Sequence, residues 1–122
     1  MVTTSELLDF WRLAEGKTVH PSDQAYLMSP KGFDLTLIPQ PWAGPIATAD
    51  VFVLHLNPGL DGAERDYEQT NPAFRQALTE TLWGNSKYVF LDPRFAQHPG
   101  HKWAVDHCCP VMATLNPCKP LK

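Results

Sequence analysis

Ala49-Asp50-Val51-Phe52-Val53-Leu54-His55-Leu56-Asn57-Pro58-Gly59 is the most strongly patterned stretch of the chain. Positions 51–56 form a β-branched and aromatic run, entered from Ala49 and Asp50 and stopped by Asn57, Pro58 and Gly59. A continuous apolar run of this kind suits a strand buried on both faces, as in a parallel sheet. Within it, His55 reads as a hydrogen-bonded core residue rather than a catalytic one, because nothing places a partner beside it.

Downstream, Asp61 to Glu68 reads as an acidic loop. A helix follows, with Asn71 as its cap and Pro72 at its first position. Phe74, Ala77, Leu78, Thr81 and Leu82 recur at spacings of three and four, which gives that helix a buried stripe. Gly84 and Asn85 end it, and Tyr88, Val89, Phe90 and Leu91 read as a second buried strand before Asp92 and Pro93. Strand, helix, strand at this spacing is a right-handed βαβ crossover. The expected class is therefore α/β.

Upstream, Thr3 and Glu6 have the form of a capping box, and Leu7, Leu8, Phe10, Trp11, Leu13 and Ala14 cluster near one face. That predicts a helix over 5–15, ended by Gly16. Phe33, Leu35 and Leu37 alternate with Asp34 and Thr36, which suggests a short strand stopping near Pro39. Pro39, Pro41, Gly44 and Pro45 make a rigid loop around Trp42.

The 122 residues have room for about one domain, expected over 1–105. Residues 106–122, with His107, Cys108, Cys109 and three prolines, read as a tail of uncertain order, although Val111, Met112, Ala113 and Leu115 suggest one more short strand. Hydrophobic residues make up 43% and charged residues 19%, enough for a packed core and against wholesale disorder. No apolar run approaches the roughly 20 residues of a membrane span. The start of the chain lacks the pattern of a secretory signal, so no membrane association and a cytoplasmic location are expected. The three cysteines, all beyond position 107, form no disulfide framework. The formal charge of −3 gives no sequence-wide basic field, so any nucleic-acid contact must be local. Lys87, Arg94 and Lys102 are the best local candidates for such contact.

In open α/β sheets ligands bind outside the carboxyl ends of strands, where Asn57-Pro58-Gly59 is expected to lie. An Asn there offers a donor and an acceptor at a fixed place, Pro58 limits the backbone, and Gly59 admits a ligand closely. His98, His101, His107, Cys108, Cys109 and Cys118 invite a metal reading, but the usual paired Cys-x-x-Cys spacing is missing and no metal or cofactor is expected. Asp61, Glu64, Asp66 and Glu68 read as a solvated loop rather than a magnesium site.

The run 49–59, followed in order by Asn71-Pro72-Ala73-Phe74, Phe90-Leu91-Asp92-Pro93-Arg94-Phe95 and Gly100-His101-Lys102-Trp103, resembles the N-terminal part of proteins of the uracil-DNA glycosylase superfamily. The resemblance spans about residues 33–103, with Asn57-Pro58-Gly59 matching the first active-site motif. It implies a three-layer α/β/α fold around a short parallel sheet, here an incomplete version of the glycosylase fold. It also implies hydrolysis of the N-glycosidic bond of a base flipped out of DNA. Cleavage builds positive charge on the sugar and negative charge on the base, so a site must position water and donate hydrogen bonds. By motif match Asn57 is the catalytic residue, with Pro58 and Gly59 shaping the pocket. An aromatic residue is expected to stack on the base; Tyr67 is the candidate, since Phe74 lies on the buried stripe.

The superfamily's second motif, a His or Asn followed by Pro and Ser, has no counterpart in the right place. His20-Pro21-Ser22 precedes the first motif. Asn116-Pro117-Cys118 comes only 59 positions after Asn57 (116 − 57), too few for the intervening elements. The composition change near Asp106 suggests a truncated or altered end, and catalysis by these 122 residues alone is doubtful. Two readings stay open: a base-excision protein whose partner is DNA containing a damaged base, and a non-catalytic α/β module that binds a nucleotide, nucleic acid or protein. An incomplete sheet would also expose an edge, which predicts self-association.

Overall fold

The computed structural model of the chain describes residues 1–27, 33–54 and 61–115. The chain divides into two compact units, Met1–Val89 and Phe90–Lys122.

In the first unit, helix α1 spans Thr4–Arg12. Its start is fixed by the capping box: Thr3 Oγ1 accepts from the Glu6 amide at 3.2 Å, and Glu6 Oε2 accepts from the Thr3 amide at 2.8 Å. Gly16, at φ +71°, turns the chain after it. Helix α2 spans Gly62–Thr70, capped in the same reciprocal way by Asp61 and Glu64. Helix α3 spans Pro72–Thr81, with Asn71 Oδ1 accepting from the Phe74 amide at 3.0 Å. Phe74, Leu78 and Leu82 on the α3 stripe are fully buried. Burial of each such side chain stabilises by about 1.5–3 kcal/mol. Ala14, Ile38 and Val89 complete the buried apolar set of this unit among the described residues. The proline-rich loop is tied down by Trp42, whose indole N–H donates to the Thr81 carbonyl at 2.7 Å. Gly84, at φ +84°, lies against Leu8: a Cβ there would sit 2.6 Å from its Cδ2.

In the second unit, 3-10 turns at Val89–Leu91 (which begins on the last residue of the first unit) and Pro93–Phe95 lead into helix α4, Pro99–Leu115. The buried residues of this unit, among those described, are Phe95, His98 and Ala104. Helix α4 runs through Pro110, which removes one backbone donor from the ladder.

The expected α/β class is overturned: there are four α-helices and no strand or sheet among the described residues. Each expected strand fails for a local reason. At 34–37 the Asp34 carboxylate accepts from both the amide and the hydroxyl of Thr36, which curls the segment into a turn. Within 88–91 the chain closes into the 3-10 turn Val89–Leu91, and Asp92 then caps the next by accepting from the Arg94 amide at 2.9 Å. Residues 51–54 have no regular structure, and their four apolar side chains are 50, 60, 54 and 93% exposed. A β-branched run becomes a strand only where neighbouring strands cover it, and none of the described residues forms one. His55 and Leu56 lie outside the described residues. The strand suggested at 111–115 is the last part of α4, so the helix continues through the expected boundary at 105/106. With no sheet among the described residues, self-association through a sheet edge loses its basis. No described helix is long and apolar enough to cross a membrane.

Candidate functional site

Asn57, Pro58 and Gly59, the expected catalytic and pocket-shaping residues, lie outside the described residues. Their flanks are clear. Before them runs the exposed apolar segment 51–54, and none of the loop, turn and cap backbone hydrogen bonds among the described residues involves it. After them, Asp61 is spent in capping α2.

Tyr67, the expected stacking residue, sits half-buried on α2 and meets the ring of Phe74 edge-on, with centroids 5.2 Å apart and planes at 83°. That contact joins α2 to α3, and it makes Tyr67 a packing residue. The cations expected to touch nucleic acid fall in different units. Lys87 is exposed in the segment after Gly84. Arg94 pairs with Asp92, Nη2 to Oδ2 at 2.8 Å, and its guanidinium lies 4.9 Å from the centre of the Phe95 ring. Lys102 pairs with Asp106, one turn along α4, and this lowers the Asp106 carboxyl below its ordinary value.

The histidines and cysteines are dispersed. His98 Nδ1 accepts from the Gly100 amide at 2.9 Å, His101 Nδ1 lies 2.8 Å from the Phe90 carbonyl, and His107 stacks on Trp103 at 4.7 Å. Cys108 and Cys109 are half-buried free thiols, and Cys118 lies outside the described residues. Among the described residues no group of three or more His, Cys, Asp or Glu is placed to hold a metal ion. His20, from the early His-Pro-Ser sequence, is buried and stacked 4.0 Å above Phe10. Its Nε2 lies 2.8 Å from the Phe10 carbonyl, and its Nδ1 lies 2.6 Å from Ser22 Oγ while accepting from the Ser22 amide at 3.1 Å. The ring thus staples α1 to the turn that follows His20.

The expected acidic loop is helix α2, and its charges do three different things. Asp61 and Glu64 form the cap, and Asp66 is exposed. Glu68, expected on a solvated loop, is only 3% exposed. Its Oε1 accepts from the Ile38 amide at 2.7 Å and from Arg75 Nη1 of α3 at 3.2 Å. Around it, Arg75 Nη1 also donates to the Thr36 carbonyl at 3.3 Å, Gln69 donates to Thr36 Oγ1 at 2.8 Å, and Arg65 pairs with Asp34. The two helices thereby hold the segment 34–38 by polar contacts. Burial, the largest effect, pushes the Glu68 carboxyl above its ordinary value; the Ile38 amide and Arg75 pull it down, and the Asp34 charge adds to the rise. Asp34 is lowered, chiefly by the Thr36 hydroxyl and amide. Beside this network opens a cleft of about 190 Å³, lined among others by Trp11, His20, Asp23, Asp34, Ile38 and Pro39.

No family model matches the chain, and neither a curated protein nor a solved structure matches it significantly.

Proposed function

We propose that this chain is a non-catalytic binding module, and that its partner is a protein whose open sheet edge takes up residues 51–54. The observation that carries this reading is the exposure of Val51, Phe52, Val53 and Leu54 together, in a segment that joins none of the described loop, turn and cap backbone hydrogen bonds. Contiguous exposed apolar residues mark interaction sites more often than scattered ones. An uncharged, apolar stretch that joins none of the described loop, turn and cap backbone hydrogen bonds suits addition to another protein's sheet, where the main chain supplies affinity and alternate side chains supply specificity. The net charge of −3, with Arg94 and Lys102 each beside a carboxylate, favours a protein over nucleic acid.

Base excision rests on the resemblance over about residues 33–103, with Asn57 as its reacting residue, and the same experiment separates the two. The full chain is cross-linked to partners, and hydrogen exchange is followed in the complex. The expected result is a captured protein that protects the 51–54 amides and is lost with Val53→Asp, while uracil-containing oligonucleotides are neither bound nor cut. Glycosidic cleavage abolished by Asn57→Ala, or DNA binding that weakens as salt rises, overturns the proposal.

A further inference from the structure

We propose that Glu68 and the segment 34–39 form a pH-responsive clasp, tight when the carboxyl is neutral and loosened when it is charged, and that its opening widens the adjoining cleft.

The geometry supplies both halves of the device. On α2, Glu68 is buried and aimed at the backbone of a segment 30 positions away, whose Ile38 amide it accepts at 2.7 Å. That same segment lines the cleft through Asp34, Leu37, Ile38 and Pro39, together with Trp11, 18–20, Asp23 and Leu27. Anything that weakens the bond at Ile38 therefore acts on the width of the cleft.

Among the described residues, two charged groups act on the carboxyl. From α3 comes Arg75, whose side chain keeps 30% exposure and so retains access to water. From the segment itself comes Asp34, held by Arg65 of α2 and by Thr36. Arg75 favours a charged Glu68, while burial and Asp34 oppose it, and burial is the largest of the three. The folded, clasped state thus holds the proton more tightly than the unfolded chain does. Its contribution to stability is complete below the ordinary glutamate value and is lost as pH rises through the raised one. Loosening the clasp lets the carboxylate reach water, so rising pH favours the open form. A neutral carboxyl keeps its carbonyl oxygen as an acceptor for Ile38, so protonation does not cost the clasp its hydrogen bond.

The test follows the Ile38 amide of the full chain by NMR. Its proton shift should titrate with a midpoint above the ordinary glutamate value. Its exchange protection, corrected for intrinsic rate, should fall several-fold as pH rises through that midpoint. Glu68→Gln keeps an acceptor but cannot ionise, and should hold the protection flat across the same range. Arg75→Gln, which removes the counter-charge while leaving a donor for the Thr36 carbonyl, should move the midpoint up and serves if the first variant folds poorly. Protection that is independent of pH, that rises with pH, or that falls equally in Glu68→Gln overturns the clasp.

Discussion

Replacing Phe74 with alanine should cost far more stability than replacing Phe52. Phe74 is wholly enclosed, the first residue of the α3 stripe, and its ring meets Tyr67 edge-on at 5.2 Å. Truncation removes the burial of a full aromatic side chain and leaves a cavity between α2 and α3, for a loss of about 3–5 kcal/mol. Phe52 is 60% exposed in a segment without regular structure, and its truncation should change stability by no more than about 0.5 kcal/mol. A parallel-sheet fold would predict similar large losses at both positions, since Phe52 would then lie in the central strand. Urea unfolding followed by circular dichroism distinguishes the two. With slopes of about 1–3 kcal/mol/M, Phe74→Ala should lower the midpoint by at least about 1 M, and Phe52→Ala by less than about 0.5 M. Domain stabilities are only about 5–15 kcal/mol, so Phe74→Ala can leave the chain largely unfolded. Phe74→Leu, which keeps most of the volume and should cost about 1 kcal/mol, then provides the graded comparison. A loss at Phe52 equal to that at Phe74 would refute the helical packing described above.

Asn71→Ala removes the acceptor for the Phe74 amide and should lower stability by about 1 kcal/mol, read as a shift in the same urea midpoint. Gly84→Ala forces a left-handed backbone onto a residue with a Cβ and drives that atom into Leu8; it should cost more than Gly16→Ala, where the φ strain of about 1–2 kcal/mol acts in open space. Glu68→Ala leaves the Ile38 amide without its acceptor and should cost about 1–3 kcal/mol. Glu68→Gln should be neutral or stabilising near pH 7 and show no advantage well below pH 4, because burial of the charge is the larger effect. Thermal melts across that pH range check the sign, and a large loss from Glu68→Gln at pH 7 would mean that the Arg75 pair dominates.

The two helices that can be read from the sequence are those whose ends carry side-chain caps and whose faces carry apolar stripes. Thr3 with Glu6, and Asn71 with Pro72, fix α1 and α3 to within a few residues. Helix α2 carries an equally good signal in Asp61 and Glu64, but its face toward the segment 34–38 is polar: what it buries is Glu68, which no hydrophobic pattern can reveal. Helix α4 is obscured by Pro110, a residue that ordinarily argues for a break. The strand readings err differently. Val, Phe and Leu in succession state a preference for a covered, pleated surface, and whether another strand supplies that cover is a tertiary fact absent from the local sequence. At 34–37 a short polar side chain wins over alternation, since Asp34 satisfies the Thr36 amide and turns the chain. Among the expected site residues, Tyr67 could be located only once the α2–α3 contact was known. Arg94 and Lys102 lie two and four positions from the carboxylates that hold them, a proximity already visible in the sequence.

Hydrogen exchange at the amides of Val51, Phe52, Val53 and Leu54 in the isolated chain tests the exposed-segment account most directly. Exchange close to the rates of an unstructured peptide is the predicted result. Protection comparable to that of the Leu78 and Leu82 amides would place these residues in a hydrogen-bonded ladder and contradict it.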